Sequence, residues 1–182
     1  MTLKIRVGKP AVWSLALRIP GWCKTAKIKV NGIKFHHETA LSKGYVQIKR
    51  AWNSEDVVSI SFAMPVERIQ ANPAVRQDAG SIALRRGPVL YCLESVDNGS
   101  GLRGISLSGD PEFKVVQGRG PLLNGIPVIR VKATRVKAAA KGDPLYASFG
   151  NWPRVSCTVT AIPYHLWANR TPGEMIVWIR QD

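Results

Sequence analysis

The residues best suited to chemistry lie close together near the end of the sequence. Tyr164, Trp167, Asn169, Arg170 and Glu174 combine two aromatic rings with an amide, a cation and a carboxylate. Aromatic rings beside hydrogen-bonding groups are typical of carbohydrate sites, because the ring packs on a sugar and the polar groups bind its hydroxyls. The same residues also fit a structural corner in which Glu174 pairs with Arg170. We favour the corner and keep the carbohydrate site as the alternative.

Two further tryptophans lie in polar turns and extend the set of candidate sugar contacts. Trp52 opens the stretch Trp52 to Asp56, and Trp152 lies in the turn Gly150 to Pro153. A tryptophan in such a turn either stacks on a sugar ring or packs over the end of the core, and packing is favoured for Trp52. The candidate carbohydrate-binding residues are Trp52, Trp152, Tyr164, Trp167, Asn169, Arg170 and Glu174.

Metal and cofactor chemistry has little support in the sequence. Adjacent residues of an extended chain point to opposite faces, so the run His36 to Glu38 is a poor metal site. Cys23, Cys92 and Cys157 are odd in number and lack CxxC spacing, which favours reduced, buried thiols. We therefore predict no metal, no cofactor and no disulfide framework.

The charge is the least ordinary property of the chain, at +14 over 182 residues. Basic residues are spread over both halves, and such a field attracts polyanions, including nucleic acid and acidic polysaccharide. One strand-like stretch carries Arg130, Lys132, Arg135 and Lys137, which read either as a binding stripe or as a solvated edge strand protected by charge. The edge strand is favoured, and nucleic-acid binding is not the expected function. The sequence contains no secretory signal and no apolar span, so a cytoplasmic location away from membranes is the default.

Alternation of apolar and polar residues dominates the chain and predicts an all-β fold, an antiparallel β-sandwich of jelly-roll type in two small modules. The clearest run is Gly80 to Glu94, where Arg85 to Pro88 interrupts the alternation and predicts two strands joined by a corner. Asn31-Gly32 predicts a type I′ hairpin. The polar stretch around Asn72-Pro73 places the boundary between modules 1–70 and 71–182. The glycine-rich stretch from Asp97 to Gly109 is interpreted as a disordered connection.

Five motifs, read together and in order, resemble the C-terminal region of glycoside hydrolase family 127, which includes bacterial β-L-arabinofuranosidases. They are LRIPGWC (Leu17 to Cys23), VNG (Val30 to Gly32), GYVQIKRAW (Gly44 to Trp52), ALRRGPVLYCLE (Ala83 to Glu94) and IPYHLWANRTPGEMIVWI (Ile162 to Ile179). The resemblance implies β-sandwich domains that pack on a catalytic (α/α)6 barrel.

The resemblance also implies that the chemistry lies elsewhere. The family's cysteine nucleophile, zinc-binding cysteines and glutamate belong to the barrel and include an adjacent cysteine pair, which this sequence lacks. Cys23 and Cys92 match non-catalytic positions. No pair of carboxylates with a defined separation can be argued either. We therefore expect a non-catalytic accessory region with a structural or carbohydrate-associated role; a free-standing module that binds carbohydrate or a polyanion is the alternative.

The resemblance bears on partners as well, since the family's first sandwich begins upstream of the position matching Leu3. Residues 1–68 would then supply only part of that sandwich and leave an open sheet edge. Either Leu3 to Val7 or Val57 to Phe62 is expected at this edge, which would recruit a second copy of the chain or a separate catalytic domain.

Overall fold

The computed structural model describes residues 1–36, 38, 41–137, 142–148, 150 and 152–182. These residues form two compact units, Met1–Pro65 and Val66–Asp182. Val66–Gln70, which the sequence analysis assigned to the first module, pairs along its whole length with Ser81–Arg86 and so belongs to the second unit. None of the helices described is long and apolar enough to cross a membrane.

The described residues of the first unit form seven strands in two sheets. They are β1 (Thr2–Lys4), β2 (Ala11–Arg18), β3 (Ala26–Val30), β4 (Ile33–Phe35), β5 (Leu41–Ser42), β6 (Tyr45–Trp52) and β7 (Val57–Phe62). One sheet has the order β1-β7-β3-β4 and the other the order β2-β6-β5. Ile28 and Ile60 from the first sheet share one core with Val46 and Ile48 from the second. This unit is therefore a sandwich of two antiparallel sheets.

Local turn chemistry determines the register of the β3–β4 hairpin. Asn31 and Gly32 both have positive φ, 51° and 80°, as the predicted type I′ turn requires. The Asn31 side chain donates a hydrogen bond to the buried Asp56 carboxylate at 2.7 Å, and the Asn53 amide donates another at 2.9 Å. These bonds hold the pKa of Asp56 below its ordinary 3.8 because they stabilise the ionised carboxylate.

Where the structure describes it, the second unit has nine strands and one short α-helix. They are β8 (Val66–Gln70), β9 (Ser81–Arg86), β10 (Val89–Glu94), α1 (Ser95–Asn98), β11 (Ile105–Leu107), β12 (Phe113–Gln117), β13 (Pro127–Val136), β14 (Arg154–Pro163), β15 (Met175–Ile176) and β16 (Ile179–Gln181). Three 3₁₀ turns cover Arg76–Asp78, Leu102–Gly104 and Tyr164–Leu166.

One sheet of the second unit closes on itself. Pairing runs from β10 through β14, β13, β11, β16 and β9 and returns to β10, while β8, β12 and β15 attach outside this path. The apolar residues that face the inside of this ring of six strands form the main core, and Leu84, Leu93, Ile105 and Ile129 are fully buried there. The predicted all-β class is confirmed, and the second unit achieves it with a closed sheet.

The corner predicted between β9 and β10 is a two-residue hairpin turn. Val89 pairs directly with Arg86, so Gly87 and Pro88 alone make the reversal. Gly87 has φ 58°, the left-handed value that the first central residue of a type II′ turn requires. The next residue of this turn has a negative φ, which suits Pro88.

The prediction of a disordered connection from Asp97 to Gly109 is wrong. Leu102, Ile105 and Leu107 are at most 1% exposed and belong to the main core. β11 also joins the ring between β13 and β16. Three buried apolar side chains therefore order a stretch whose glycines had indicated a loop.

Candidate functional site

A charged cluster lies where β10 ends and α1 begins. Glu94 is the last residue of β10 and Asp97 lies in α1. Arg170, more than seventy residues further on, donates to Asp97 at 2.8 and 2.5 Å and to Glu94 Oε2 at 2.5 Å. The Ala168 amide donates to the other Glu94 oxygen at 3.1 Å. One guanidinium thus holds two carboxylates and ties the segment after β14 to β10.

The charged side chains of this cluster are more buried than those of a surface ion pair. The Glu94 side chain is 6% exposed and the Arg170 side chain 17% exposed. Hydrogen bonding to Asp97, followed by bonding to Glu94, raises the pKa of Arg170 above its ordinary value, so it is charged at every relevant pH. Removing one partner from such a cluster leaves a buried charge without compensation. The geometry is that of a buried ion-pair cluster with a structural role.

The predicted pairing of Glu174 with Arg170 is wrong. Glu174 Oε2 accepts a hydrogen bond from the buried Leu102 amide at 2.9 Å, and the Glu174 carbonyl accepts one from the Ser95 amide. Glu174 therefore fastens the 3₁₀ turn at Leu102–Gly104 and the start of α1. The partners of Arg170 are Glu94 and Asp97, which the sequence analysis did not propose.

Two aromatic rings beside this cluster remain open to solvent. Tyr164 and Trp167 are 40% and 42% exposed, with ring centroids 5.9 Å apart and planes inclined by 27°. The Asn169 side-chain amide donates to the carbonyls of Leu166 and Trp167 and so braces the turn that presents Trp167. An adjacent groove of about 660 Å³ is lined by Asn169, Arg170 and residues 119–123 and 171–172.

The other two tryptophans do not join this group. Trp52 is fully buried in the first unit, where it packs on Trp13 and donates its indole N–H to the Trp13 carbonyl at 3.1 Å. The structure removes Trp52 from the candidate sugar contacts because neither face of its ring is open. Trp152 is half-buried and precedes β14, whereas Tyr164 follows it, so the ten residues of that strand separate them by about 30 Å.

The cysteines and the described histidines form no metal-type cluster. Cys23 and Cys92 are buried and Cys157 is half-buried, and all three are free. Burial, assisted by the charge of Glu94, raises the pKa of the Cys92 thiol from 9.0 to about 12. No cluster of three metal-capable side chains occurs in the part of the chain that the structure describes. His37, in the run His36 to Glu38, lies outside the described residues.

The fold and this corner together define a two-unit, all-β segment. Residues 66–180 match the glycoside hydrolase family 127 C-terminal domain, and residues 1–64 match the GH127 middle domain of β-L-arabinofuranosidase. The chain belongs to glycoside hydrolase family 127.

Known relatives agree over nearly the whole chain. The non-reducing end β-L-arabinofuranosidase of Bifidobacterium longum subsp. longum is 35% identical over 172 residues, which cover 91% of this chain and 25% of that protein. The crystal structure of a GH127 β-L-arabinofuranosidase from Geobacillus stearothermophilus T6 is 40% identical over all of this chain and 28% of its own, with a TM-score of 0.89. A GH127 β-arabinofuranosidase structure is 32% identical over all of this chain and 29% of its own, with a TM-score of 0.84. The chain thus spans about a quarter of the length of these relatives.

Sequence reasoning found the corner but missed its acidic half. Glu94 lies in a strand pattern and Asp97 in a glycine-rich stretch, so neither was linked to Arg170 across more than seventy positions. One signal was available, because Glu94 ends an apolar strand on a side that should be buried, and a buried carboxylate requires a cationic partner.

Proposed function

We propose that these two units form a non-catalytic accessory region of a family 127 glycoside hydrolase. One observation carries the proposal: the chain matches the middle and C-terminal domains of the family from residue 1 to residue 180, yet spans only 25–29% of the relatives named for the activity. The polar cluster of Arg170 with Glu94 and Asp97 is moreover engaged in internal hydrogen bonds. Its role is to hold the fold together.

The test is a hydrolysis assay of the purified chain with 4-nitrophenyl β-L-arabinofuranoside. We expect no release of nitrophenol above the buffer blank. The Geobacillus relative, assayed at the same molar concentration, serves as the positive control. Zinc is added to both samples so that a missing ion cannot explain an inactive chain. Turnover by this chain at a rate within a few orders of magnitude of the relative would refute the accessory role.

A second candidate function, carbohydrate binding, is favoured by the exposed Tyr164–Trp167 pair beside the groove at Asn169 and Arg170. Rings that stay open to solvent offer apolar faces for a sugar, and the groove supplies polar groups at their side. Calorimetry with an arabino-oligosaccharide tests this proposal. Trp167→Ala should abolish binding. Tyr146→Ala, which removes another aromatic side chain that is 92% exposed, should not. Absence of heat with the unmodified chain would remove this candidate.

For partners, we propose a twofold homodimer through the open edge of the first sheet. β1 is the last strand of that sheet, and β7 lies between β1 and β3. The Ile5 amide donates to Asp56 inside the unit, and Leu3 pairs with Val58, so alternation directs the Thr2 and Lys4 amides outward. Light scattering should show a dimer that Lys4→Pro converts to a monomer. A monomer at micromolar concentration without the substitution would refute the dimer.

A further inference from the structure

The central strand β13 carries a basic face that the fold does not use. Arg130 and Lys132 are exposed on it, while Ile129, Val131 and Ala133 point into the main core. β13 pairs with β12 and β11 on one side and with β14 on the other. The edge-strand interpretation of these charges is therefore wrong, because a strand with partners on both sides has no edge to protect.

Like charges meet across this face. Lys114 on β12 lies directly opposite Arg130, and Lys132 follows two residues later on the same side. Like charges placed opposite each other on a sheet destabilise it. The nearby carboxylate of Glu112 is 3.7 Å from Lys114, with both side chains largely exposed. Among the described residues, Arg130 and Lys132 have no ion pair, so the face retains a net positive charge.

The cations line a groove with a hydroxyl-rich side. This groove, of about 670 Å³, extends over the outer faces of β12, β13 and β14. Its β14 side presents Ser156 and Thr158, which pair with Thr134 and Lys132 across the strands. Pro111 and Val116 supply apolar lining, and Val116 packs against a small core around Leu123 and Val128. The floor of the groove is therefore the outer face of the sheet, with cations on β12 and β13 and hydroxyls on β14.

We propose that this groove binds an acidic oligosaccharide, with Arg130, Lys132 and Lys114 holding the carboxylates and the β14 hydroxyls bonding to the sugar. Charge complementarity selects an anion, and the planar guanidinium of Arg130 suits a carboxylate. Single-stranded nucleic acid is disfavoured because binding of that kind relies on aromatic platforms, and none of the described lining residues is aromatic. A bound anion also relieves the repulsion between Lys114 and Arg130.

The test uses a galacturonate hexamer as the probe and isothermal calorimetry on the full chain. The groove variant is Arg130→Gln with Lys132→Gln. The matched control is Lys27→Gln with Lys29→Gln, which removes the same charge from two exposed, alternating positions of β3. We expect the groove variant to bind about tenfold more weakly or worse, and the control to change affinity less than about twofold. Denaturation midpoints of both variants verify folding, and the groove variant should be at least as stable as the original chain because repulsion is relieved.

Three results would overturn the proposal. Equal losses in both variants would show attraction by net charge alone. A neutral galactose hexamer that binds as tightly as the galacturonate hexamer would remove the role of the cations. A single-stranded DNA of the same charge that binds more tightly and loses affinity only in the groove variant would make the site a nucleic-acid site. The proposal is independent of the accessory role, because the hydrolysis assay neither uses the hexamer nor depends on this groove.

Discussion

Replacing Arg170 by Met should destabilise the second unit. The substitution keeps an unbranched side chain but removes the guanidinium. Among the described residues, the Glu94 carboxylate, whose side chain is 6% exposed, then keeps only the Ala168 amide as a partner. Breaking a buried ion pair from one side costs about 3–5 kcal/mol. Domains are typically stable by about 5–15 kcal/mol, so this loss is a large part of the total.

A double-mutant cycle separates the energy of the Arg170–Glu94 ion pair from the energy of packing the Arg170 side chain. Glu94→Gln alone should cost less than Arg170→Met, because Asp97 still holds the guanidinium. The double variant no longer contains the Glu94 carboxylate, the more deeply buried of the two. The loss in the double variant should therefore fall short of the sum of the single losses by about 0.5–3 kcal/mol, the range for residues in one network.

Guanidinium chloride unfolding, monitored by circular dichroism and tryptophan fluorescence, measures these losses. The two units should give separable transitions, and the transition of the first unit, which contains Trp52, serves as an internal reference. Arg103→Met is the matched control, because Arg103 is exposed in the same unit. If Arg170→Met lowers the midpoint no more than Arg103→Met does, or if the cycle is additive, the reasoning about a buried fastening is refuted.

Three further outcomes are expected. Hydrogen bonds from Asn53 and Asn31 depress the pKa of Asp56. The contribution of this carboxylate to the stability of the first unit is therefore present above pH 3.8 and lost as the pH falls through the folded-state pKa. Asp56→Asn should flatten this acid dependence in denaturation midpoints measured at a series of pH values. Cys92, with its pKa raised to about 12, should react with a thiol reagent at pH 8 far more slowly than half-buried Cys157, and equal rates by mass spectrometry would contradict its burial. Gly118→Ala should destabilise the second unit by about 1–3 kcal/mol, because the added Cβ would lie 2.5 Å from the Leu123 carbonyl oxygen. Gly21→Ala is the control, since a Cβ there meets nothing within 4 Å. An unchanged melting temperature for Gly118→Ala would contradict the close packing.

Period-two alternation was enough to place a strand that has one face in a core. The predicted stretch Val57 to Phe62 agrees with β7 to the residue, since one face of that strand lies in a core. The turn at Asn31-Gly32 could be predicted because only a few residues adopt its angles. Such features depend on neighbouring residues alone, so one sequence contains the information.

Features that depend on distant partners were missed. Leu102 and Ile105 lie among glycines, and their burial depends on a ring of strands that closes far away in the sequence. The corner was found from its composition, but Glu174 was given the wrong partner because the nearest opposite charge in sequence is not the nearest in space. By contrast, the packing favoured for Trp52 is what the structure shows, with its ring against Trp13 across the β2–β6 strand pair.

The closed ring has a consequence for how the second unit folds. β16 is the strand that joins β9 to β11, and it pairs Ile179 with Ile82 across nearly a hundred residues. Closing a loop of this length costs chain entropy before the buried Ile179 contributes any packing. Until β16 arrives, β11 has an unpaired side and the start of β9, at Ser81 and Ile82, lacks its β16 partner, and a nascent chain would expose both to solvent. Folding of this unit should therefore be slow and late, with its most vulnerable state the nearly complete ring that lacks only β16.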